Sequence, residues 1–370
     1  MRFHAVSPIR GRSFQPTGVN VMNTAYGLKL TETELERVER IRKDFVYWNL
    51  CDSTTRECGD EIYLKQVKES NVTAINHTVC YTVDFAEGVK NIAHWTRLYD
   101  THPEVGFIAK SYADIERARK EGRTAIFMGF QDVTALEGDI DRMEIFYNLG
   151  IRFVQPTYQD RNMFGDGCGE RFQSGLSNLG IKFIRRLDEL GIVIDTSHVG
   201  IGTTIDCANM SSNPIMATHT AARGLVDTPR NKTDDEIKAI AAKGGVIGIA
   251  GKSGFLKPDG LATGSTINDM IDHVVYIANL VGIEHVGIGT DVGDLRKYSR
   301  DRMAEFHSRH PEVAIIGPDL RTDLMHPKDV GPGSLHYIIA YLVKRNFTDD
   351  EIRMVLGDNA NRVVKAVFKD

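Results

Sequence analysis

The chain has 370 residues and a formal net charge of −5, from 45 basic and 50 acidic side chains. A hydrophobic fraction of 42% and a charged fraction of 26% are typical of a folded globular protein and exclude a wholly disordered chain. The slight acidic surplus lacks the basic charge that a nucleic-acid partner requires. The sequence has no run of about 18 apolar residues, so it predicts no membrane span.

The N-terminal segment and the cysteines indicate the compartment. The first 18 residues, MRFHAVSPIRGRSFQPTG, lack an apolar core followed by a small-residue cleavage site, so we predict no secretory signal. The cysteines are odd in number and without CxxC spacing, which argues against a disulfide framework. They are Cys51, Cys58, Cys80, Cys168 and Cys207. We therefore predict a cytoplasmic protein.

In chain order, residues 1–40 predict an irregular arm and then a charged helix, with Thr31 and Glu34 placed as a capping box. From residue 41 to 370, apolar runs typical of buried parallel strands alternate with helical segments. The runs cover residues 45–51, 72–78, 124–130, 151–155, 192–195, 215–218, 246–250 and 286–289. Capping boxes also precede two of the later helices, at Thr233 and at Thr348.

Eight strand–helix units predict an α/β protein in which residues 41–370 form a single (β/α)₈ TIM barrel with loop insertions. A doubly wound parallel sheet is the alternative, but no Gly-rich phosphate loop follows the first strand. The longest insertion, over about residues 295–330, is interpreted as a lid, an interface element or an inert surface excursion.

In a (β/α)₈ barrel, the side chains at the C-terminal ends of the strands meet at one mouth. Chemically capable side chains follow seven of the predicted strands: Cys51 and Asp52, His77, Gln131 and Asp132, Tyr158, His198, His219, and Asp291. Two histidines and two aspartates at one mouth are ligand types that suit Zn²⁺. The alternative for each single histidine is an ordinary hydrogen-bonded core or rim residue.

Other residues near the predicted mouth have two interpretations each. Asp132 and Asp195 either support metal ligands or cap loops. Cys51 is a candidate soft ligand, but the lack of a nearby partner cysteine favours an inert buried thiol. His77 is either a metal ligand or an ordinary histidine at the rim of the barrel. Arg230, in the loop after the sixth strand, is either solvated or binds a substrate carboxylate or a developing oxyanion.

Five stretches carry a family signature. They are LDELGIVIDTSHVG, PIMATHTAARGLVDTPRNKTDDEIKAIAAKGGVIGI, HVGIGTDVGD, MGFQDV with FYNLGIRFVQPTYQ, and LGDNANRVV. Together they resemble the membrane (renal) dipeptidase family of zinc peptidases, over about residues 44–367. The resemblance implies a barrel of the metallo-dependent hydrolase type, a two-zinc site, a small-molecule substrate and a homodimer.

The resemblance also implies roles for single residues. His198 and His219 correspond to two histidine ligands of the family. Asp291 corresponds to an aspartate that handles protons. Arg230 corresponds to an arginine that holds the substrate and the tetrahedral intermediate. Tyr158 stands where the family has a substrate-binding histidine, and we interpret it as a hydrogen-bond donor.

The metal site departs from the family pattern. The family has His-x-Asp after the first strand and a bridging glutamate after the third, whereas this chain has Leu50-Cys51-Asp52 and Gln131. Leu50 offers no donor atom, and a neutral amide bridges two cations poorly. We therefore predict a divergent member with a reduced site for one ion. The predicted ligands of a single Zn²⁺ are His198, His219, Asp52 and Gln131.

The leading hypothesis is a metallohydrolase that cleaves a dipeptide-like or amide C–N bond with a metal-activated water. One alternative is a non-hydrolytic enzyme, isomerase-like or lyase-like, in which Asp291 and Tyr158 transfer protons. Another is a catalytically inactive binding protein. The retention of both histidines, Arg230 and Asp291 argues against that last alternative.

Overall fold

The computed structural model describes residues 23–291, 293 and 335–369. Residues 1–22 of the predicted N-terminal arm and the long insertion over about residues 295–330 lie outside these ranges. Within them, no helix is both long enough and apolar enough to cross a membrane.

The described part of the chain contains short strands that alternate with helices. In chain order the strands are β1 (Asn23–Ala25), β2 (Leu28–Leu30), β3 (Trp48–Asp52), β4 (Ala74–Cys80), β5 (Gly106–Ile108), β6 (Thr124–Phe130), β7 (Ile151–Val154), β8 (Val193–Ile194), β9 (Met216–Thr220), β10 (Val246–Ile249) and β11 (Val286–Ile288). β1 and β2 form an antiparallel hairpin, and β5 adds to β6. The other eight coincide with the eight predicted strands to within a few residues.

These eight strands form a closed parallel ring. Hydrogen bonds connect them in the orders β3-β4-β6-β7-β8 and β9-β10-β11. A parallel bridge between Asp195 and Met216 joins β8 to β9. Between β11 and β3, the backbone N–H of Asp291 donates to the carbonyl of Cys51 at 3.0 Å. The strands follow one another around the ring in chain order, which confirms the (β/α)₈ barrel and excludes the doubly wound sheet.

Helices surround the strands. They are α1 (Glu32–Asp44), α2 (Glu61–Ser70), α3 (Phe85–Thr101), α4 (Ala113–Glu121), α5 (Arg142–Leu149), α6 (Asn178–Leu190), α7 (Ile201–Met210), α8 (Asp234–Ala242), α9 (Ser253–Leu256), α10 (Gly260–Thr263), α11 (Ile267–Val281), and the C-terminal helices Tyr337–Lys344, Asp349–Arg353 and Asn359–Val367. The predicted capping boxes form at the starts of α1, α8 and the helix Asp349–Arg353. In each, a threonine hydroxyl and a glutamate carboxylate satisfy backbone N–H groups that the first helical turn leaves open.

Aromatic side chains fill the lower half of the barrel. Trp48 and Phe127 stack with ring centroids 5.1 Å apart, and Phe153 lies 6.1 Å from Trp48. Phe368, after the last helix, lies 5.5 Å from Phe127 and belongs to the same buried cluster. This cluster contains the first residues of several strands and therefore fills the N-terminal end of the barrel. The polar side chains described below lie at the opposite end, the C-terminal mouth.

The C-terminal Gly-x-Asn segment fastens the last helix to the barrel. The side-chain amide of Asn359 donates to the carbonyls of Ile283 and Val286, each at 2.8 Å. A Cβ atom at Gly357 would lie 2.4 Å from the carbonyl oxygen of Val46, so this close approach requires glycine. The sequence signature at this end of the chain therefore has a structural role.

His273 of α11 supports the loop that follows β9. Its Nδ1 accepts the backbone N–H of Ala222 at 3.0 Å, and its Nε2 donates to the carbonyl of Leu256 at 3.2 Å. Burial lowers the pKa of this imidazole from its ordinary 6.5 to about 4. The ring is therefore neutral in the folded protein at neutral pH.

We expect the protein to lose stability as the pH falls from about 6.5 to about 4. The unfolded chain protonates His273 near the ordinary pKa, whereas the folded chain resists until the lower value, so unfolding takes up a proton in this window. The loss attributable to His273 is at most about 3.5 kcal/mol, at about 1.4 kcal/mol per pKa unit. Urea unfolding at several pH values measures it. Glutamine donates and accepts hydrogen bonds without titrating. In His273→Gln, the free energy of unfolding should therefore depend less steeply on pH than in the wild type. An equally steep dependence in both proteins would contradict this account.

Candidate functional site

Two histidines from neighbouring strands face each other at the barrel mouth. His198 follows β8, His219 lies in β9, and their Nε2 atoms are 2.9 Å apart. Both side chains are buried. Burial, and then the charge of Arg230, lowers the pKa of His198 well below its ordinary range, and burial lowers that of His219 to about 4. Both rings are therefore neutral at neutral pH, which is the form that binds metal ions.

The Asp195 carboxylate holds this histidine pair in place. Its Oδ1 accepts the backbone N–H groups of Ser197 at 3.0 Å and of Thr218 at 2.9 Å, and its Oδ2 accepts the Thr218 hydroxyl at 2.6 Å. The Thr218 oxygen in turn accepts Nδ1–H of His219 at 2.8 Å. With its proton on Nδ1, His219 directs the Nε2 lone pair toward His198. Asp195 thus supports the pair, one of its two predicted interpretations.

Three side chains from other strands adjoin His219. The ligand-type atoms of Cys51, His219 and Asp291 all lie within 4.8 Å of one another. Cys51 Sγ lies 3.7 Å from Asp291 Oδ1, and Lys252 Nζ lies 3.6 Å from Asp291 Oδ2. These groups bring sulfur, nitrogen and carboxylate donors to one place.

Asp291 is the acidic group of the site. Its backbone is left-handed, with φ of 53°, a conformation that aspartate adopts more readily than most residues. Burial alone would raise the pKa of its carboxyl, but Lys252, His219 and Arg230 lower it below the usual value. Asp291 is therefore a carboxylate at neutral pH and can accept a proton.

A change of register at the end of β3 decides which side chain enters the mouth. Asn49 pairs with Ile75 of β4, but three residues later Asp52 pairs with His77, only two residues further along β4. β3 thus contains one extra residue, which is the pattern of a β-bulge and re-aims the side chains that follow it. At this bulge Cys51 faces the site.

Leu50 fills the barrel interior below Cys51. It is fully buried, and Cβ atoms placed at Gly287 and Gly289 would lie 3.0 and 3.1 Å from its side chain. Gly287 lies in β11 and Gly289 directly follows it. Because neither has a side chain, the leucine has room there. Leu50 therefore contributes to packing where the family pattern has a histidine ligand.

The structure does not bring Asp52 to the histidine pair. Its Oδ1 accepts the backbone N–H of Thr54 at 2.8 Å and lies 3.5 Å from Nδ1 of His77. Its Oδ2 accepts the hydroxyl of Tyr63 in α2 at 3.3 Å. The His77 ring lies 4.0 Å from that of Trp95 in α3. Asp52 and His77 thus form a separate buried polar cluster toward the helices, and the bulge is the physical reason.

Gln131 reaches the site as a hydrogen-bond donor. Its Nε2 donates to the Thr78 hydroxyl at 2.9 Å and to Cys51 Sγ at 3.4 Å. Burial, and then the neighbouring Asp291 carboxylate, raises the pKa of the Cys51 thiol well above its ordinary value. Asp132, the next residue, accepts the backbone N–H of Thr134 in its own loop and that of Thr82 in the loop after β4.

Arg230 and Tyr158 both adjoin His198. The buried guanidinium of Arg230 donates to the carbonyls of Ser197 and His219, and to Nε2 of His198 at 3.2 Å. The Tyr158 ring stacks on the His198 ring, with centroids 4.0 Å apart. The Arg230 guanidinium and the Tyr158 ring therefore both lie against the histidine pair.

A buried ion pair anchors the loop that carries Arg230. Lys232 Nζ lies 2.9 Å from Glu236 Oε1 in α8, and both side chains are buried. The same ammonium donates to the carbonyl of Val199 at 3.0 Å and to the Thr204 hydroxyl at 2.9 Å. Because Val199 directly follows His198, this contact fixes the Arg230 loop to the segment that carries one histidine.

The family model for membrane dipeptidase, peptidase family M19, matches residues 20–300 of this chain. The chain belongs to the membrane dipeptidase family. It is therefore an enzyme of the metal-dependent type that hydrolyses C–N bonds, as the sequence resemblance implied.

Individual relatives agree with this membership. The chain is 30% identical to an uncharacterized dipeptidase of Schizosaccharomyces pombe over 313 residues, covering 84% of this chain and 67% of the relative. It is 23% identical to dipeptidase verJ of Clonostachys rogersoniana over 342 residues, covering 92% and 77%. The crystal structure of an amidohydrolase from Pseudomonas aeruginosa superposes with a TM-score of 0.81 at 28% identity, covering 90% of this chain and 99% of that one.

The sequence analysis missed Lys252 and favoured the other interpretation of Cys51. It named Cys51 as a candidate soft ligand at the end of the first strand, but preferred an inert buried thiol. Lys252 lies two residues after the predicted seventh strand, the one strand end from which no side chain was selected. His198, His219, Arg230, Tyr158 and Asp291 all lie together.

We expect Lys232→Met to lower the free energy of unfolding by about 3–5 kcal/mol, because it leaves Glu236 buried without its cation. The double variant Lys232→Met/Glu236→Gln removes the unpaired charge and should recover a large part of this loss. Urea denaturation measures both. Lys238→Met, at an exposed position of α8, is the control and should change stability by less than about 0.5 kcal/mol. Wild-type stability in the single variant would contradict the prediction.

Proposed function

We propose that this protein hydrolyses the C–N bond of a small dipeptide-like substrate at a single Zn²⁺ ion held in the barrel mouth. Family membership supplies the reaction class. The observation that carries the rest is the buried pair of neutral imidazoles, with Nε2 atoms 2.9 Å apart, beside the Asp291 carboxylate.

The hydrogen bonds around the pair fit a cation between the two rings. His219 donates from Nδ1, so its Nε2 carries a lone pair. Arg230 can only donate, so its contact with Nε2 of His198 at 3.2 Å means that this nitrogen carries no proton and has its lone pair. Two lone pairs that face each other repel unless a proton or a metal ion lies near them, and neutral imidazole nitrogen is a common Zn²⁺ ligand. His198 and His219 would therefore hold the ion.

When bound, such an ion polarises the scissile carbonyl and lowers the pKa of the attacking water toward about 7. Asp291 accepts the proton of that water and returns it to the leaving amine nitrogen. Lys252, 3.6 Å away, keeps Asp291 ionised for this task. Arg230 donates to the oxygen that becomes negative in the tetrahedral intermediate, and Tyr158 offers a hydroxyl to the substrate.

We propose one ion because the donors of a second site are missing or engaged elsewhere. Leu50 has no donor atom and fills the barrel interior. Asp52 binds Thr54 and Tyr63, and Gln131 donates its amide N–H to Thr78. This chain therefore retains the histidines after the fifth and sixth strands of the barrel but lacks charged ligands at the ends of its first and third strands.

His198→Ala and Asp291→Asn should separate binding from catalysis. Wild-type protein prepared with zinc should contain about one ion per chain, and His198→Ala should lose both the ion and dipeptide hydrolysis. Asp291→Asn should keep the ion and lower kcat by about 10²–10⁴-fold, with a smaller effect on KM, because only proton transfer is lost. Metal analysis and turnover of a dipeptide panel measure these effects.

His102→Ala, at the outer end of α3, is the matched control and should retain zinc and turnover. Hydrolysis that survives in His198→Ala would contradict the proposed site. Wild-type protein that binds no divalent ion would favour a binding protein. Full occupancy without turnover of any dipeptide would favour non-hydrolytic chemistry.

Gln131→Glu should raise the zinc content from about one toward two ions per chain, because it restores a carboxylate where the family pattern has a bridging ligand. Gln131→Met, similar in size but without charge, should remain at about one ion. Metal analysis after dialysis measures the stoichiometry. An unchanged zinc content in Gln131→Glu would mean that charge at this position does not limit the second ion.

A further inference from the structure

The side chain at the β3 bulge places a sulfur atom within 4.8 Å of a ring nitrogen of His219, one of the two facing histidines. Cys51 is 1% exposed, and its Sγ is close to both His219 and Asp291. Sγ also has hydrogen-bond contacts with Gln131 Nε2 at 3.4 Å and with Thr78 Oγ1 at 3.9 Å. A cysteine used only for packing would be surrounded by apolar groups. Here the sulfur lies among donors at the mouth.

The proposed histidine ligands carry no charge, which leaves a place for an anionic ligand on the ion. His198 and His219 are neutral and supply no charge to a divalent cation. Leu50 and Gln131 are neutral as well, at positions where the family pattern has a histidine and a glutamate. A thiolate would supply one negative charge from the same strand end. Zn²⁺ accepts sulfur and nitrogen ligands together, as a cation of borderline softness.

We propose that Cys51 binds the active-site ion as a thiolate and replaces the His-x-Asp ligands of the family pattern. The inference rests on the proposed single-ion hydrolase. Two imidazoles and one thiolate make three protein ligands, the number that catalytic zinc sites use while one position stays open. Asp291 then stands beside the site to handle the proton instead of closing it.

Gln131 has a matching part in this arrangement. Its amide N–H groups point at Cys51 Sγ and at the Thr78 hydroxyl, so it can stabilise charge on sulfur and hold the side chain in one orientation. We therefore assign Gln131 as a positioning residue for the ligand. The bulge and the Gln131 amide thus position the Cys51 sulfur, which replaces the nitrogen and oxygen donors of the family pattern.

Cobalt substitution tests the ligand directly, apart from activity. Metal-free protein receives one equivalent of Co²⁺, and its absorption spectrum is recorded. The wild type should show a thiolate-to-cobalt charge-transfer band in the near ultraviolet together with visible bands of four-coordinate cobalt. Cys51→Ser should lose the charge-transfer band, and its affinity for zinc should fall by at least about 100-fold, more than is typical for loss of a supporting residue.

Two matched variants complete the experiment. Cys207→Ala, which removes a buried thiol from α7, should keep the charge-transfer band. Asp52→Asn should keep it too, because Asp52 contacts His77 and Tyr63 and not the ion. If circular dichroism shows that Cys51→Ser is unfolded, Cys51→Asp provides an anionic oxygen donor instead and should bind cobalt without the band.

The outcomes distinguish this inference from the proposed function. A wild-type cobalt protein that hydrolyses dipeptides without the charge-transfer band would overturn the role of Cys51 and leave the hydrolase standing. A charge-transfer band without hydrolysis would support the ligand and overturn the proposed reaction. A band that persists in Cys51→Ser would overturn the ligand. Protein that binds no cobalt would overturn both proposals.

Discussion

The carboxylate of Asp195 ties together the ends of two neighbouring strands, and the geometry of the candidate site depends on it. It accepts backbone N–H groups from Ser197 and Thr218 as well as their hydroxyls. Such charge-assisted hydrogen bonds are strong in a buried setting. They fix the position of Ser197, which directly precedes His198, and they orient the ring of His219 through Thr218. The facing imidazoles are thus a consequence of how β8 and β9 are joined.

A second constraint acts at β3, on the side of the ring that β11 closes. One extra residue shifts the register, so Leu50 packs in the barrel, Cys51 enters the mouth and Asp52 turns toward His77. From the sequence alone, Asp52 was predicted as a ligand because it ends the first strand and matches the aspartate in the His-x-Asp of the family. Side chains alternate between the two faces of a regular strand. The strand is not regular there, and a bulge exchanges the faces.

The charges of the mouth support the proposed site for a single ion. Lys252 and Arg230 lower the pKa of Asp291, which stays ionised despite burial. Arg230 also keeps His198 neutral by adding its charge to the effect of burial. The ion pair of Lys232 and Glu236 fixes the Arg230 loop. In the proposed function, Asp291 is therefore available as the base and Arg230 as the oxyanion donor beside the metal ion, although Gln131 is uncharged.

The sequence by itself determined the barrel, the family and the strand ends where the histidines stand. Apolar runs, capping boxes such as Thr233 with Glu236, and family segments are local signals, and local propensity and packing agree in this fold. Only the tertiary structure decided that Cys51 and not Asp52 faces the mouth, that Gln131 donates to sulfur, and that Lys252 pairs with Asp291. These outcomes depend on strand register and on hydrogen bonds between segments far apart in the chain, which no local pattern encodes.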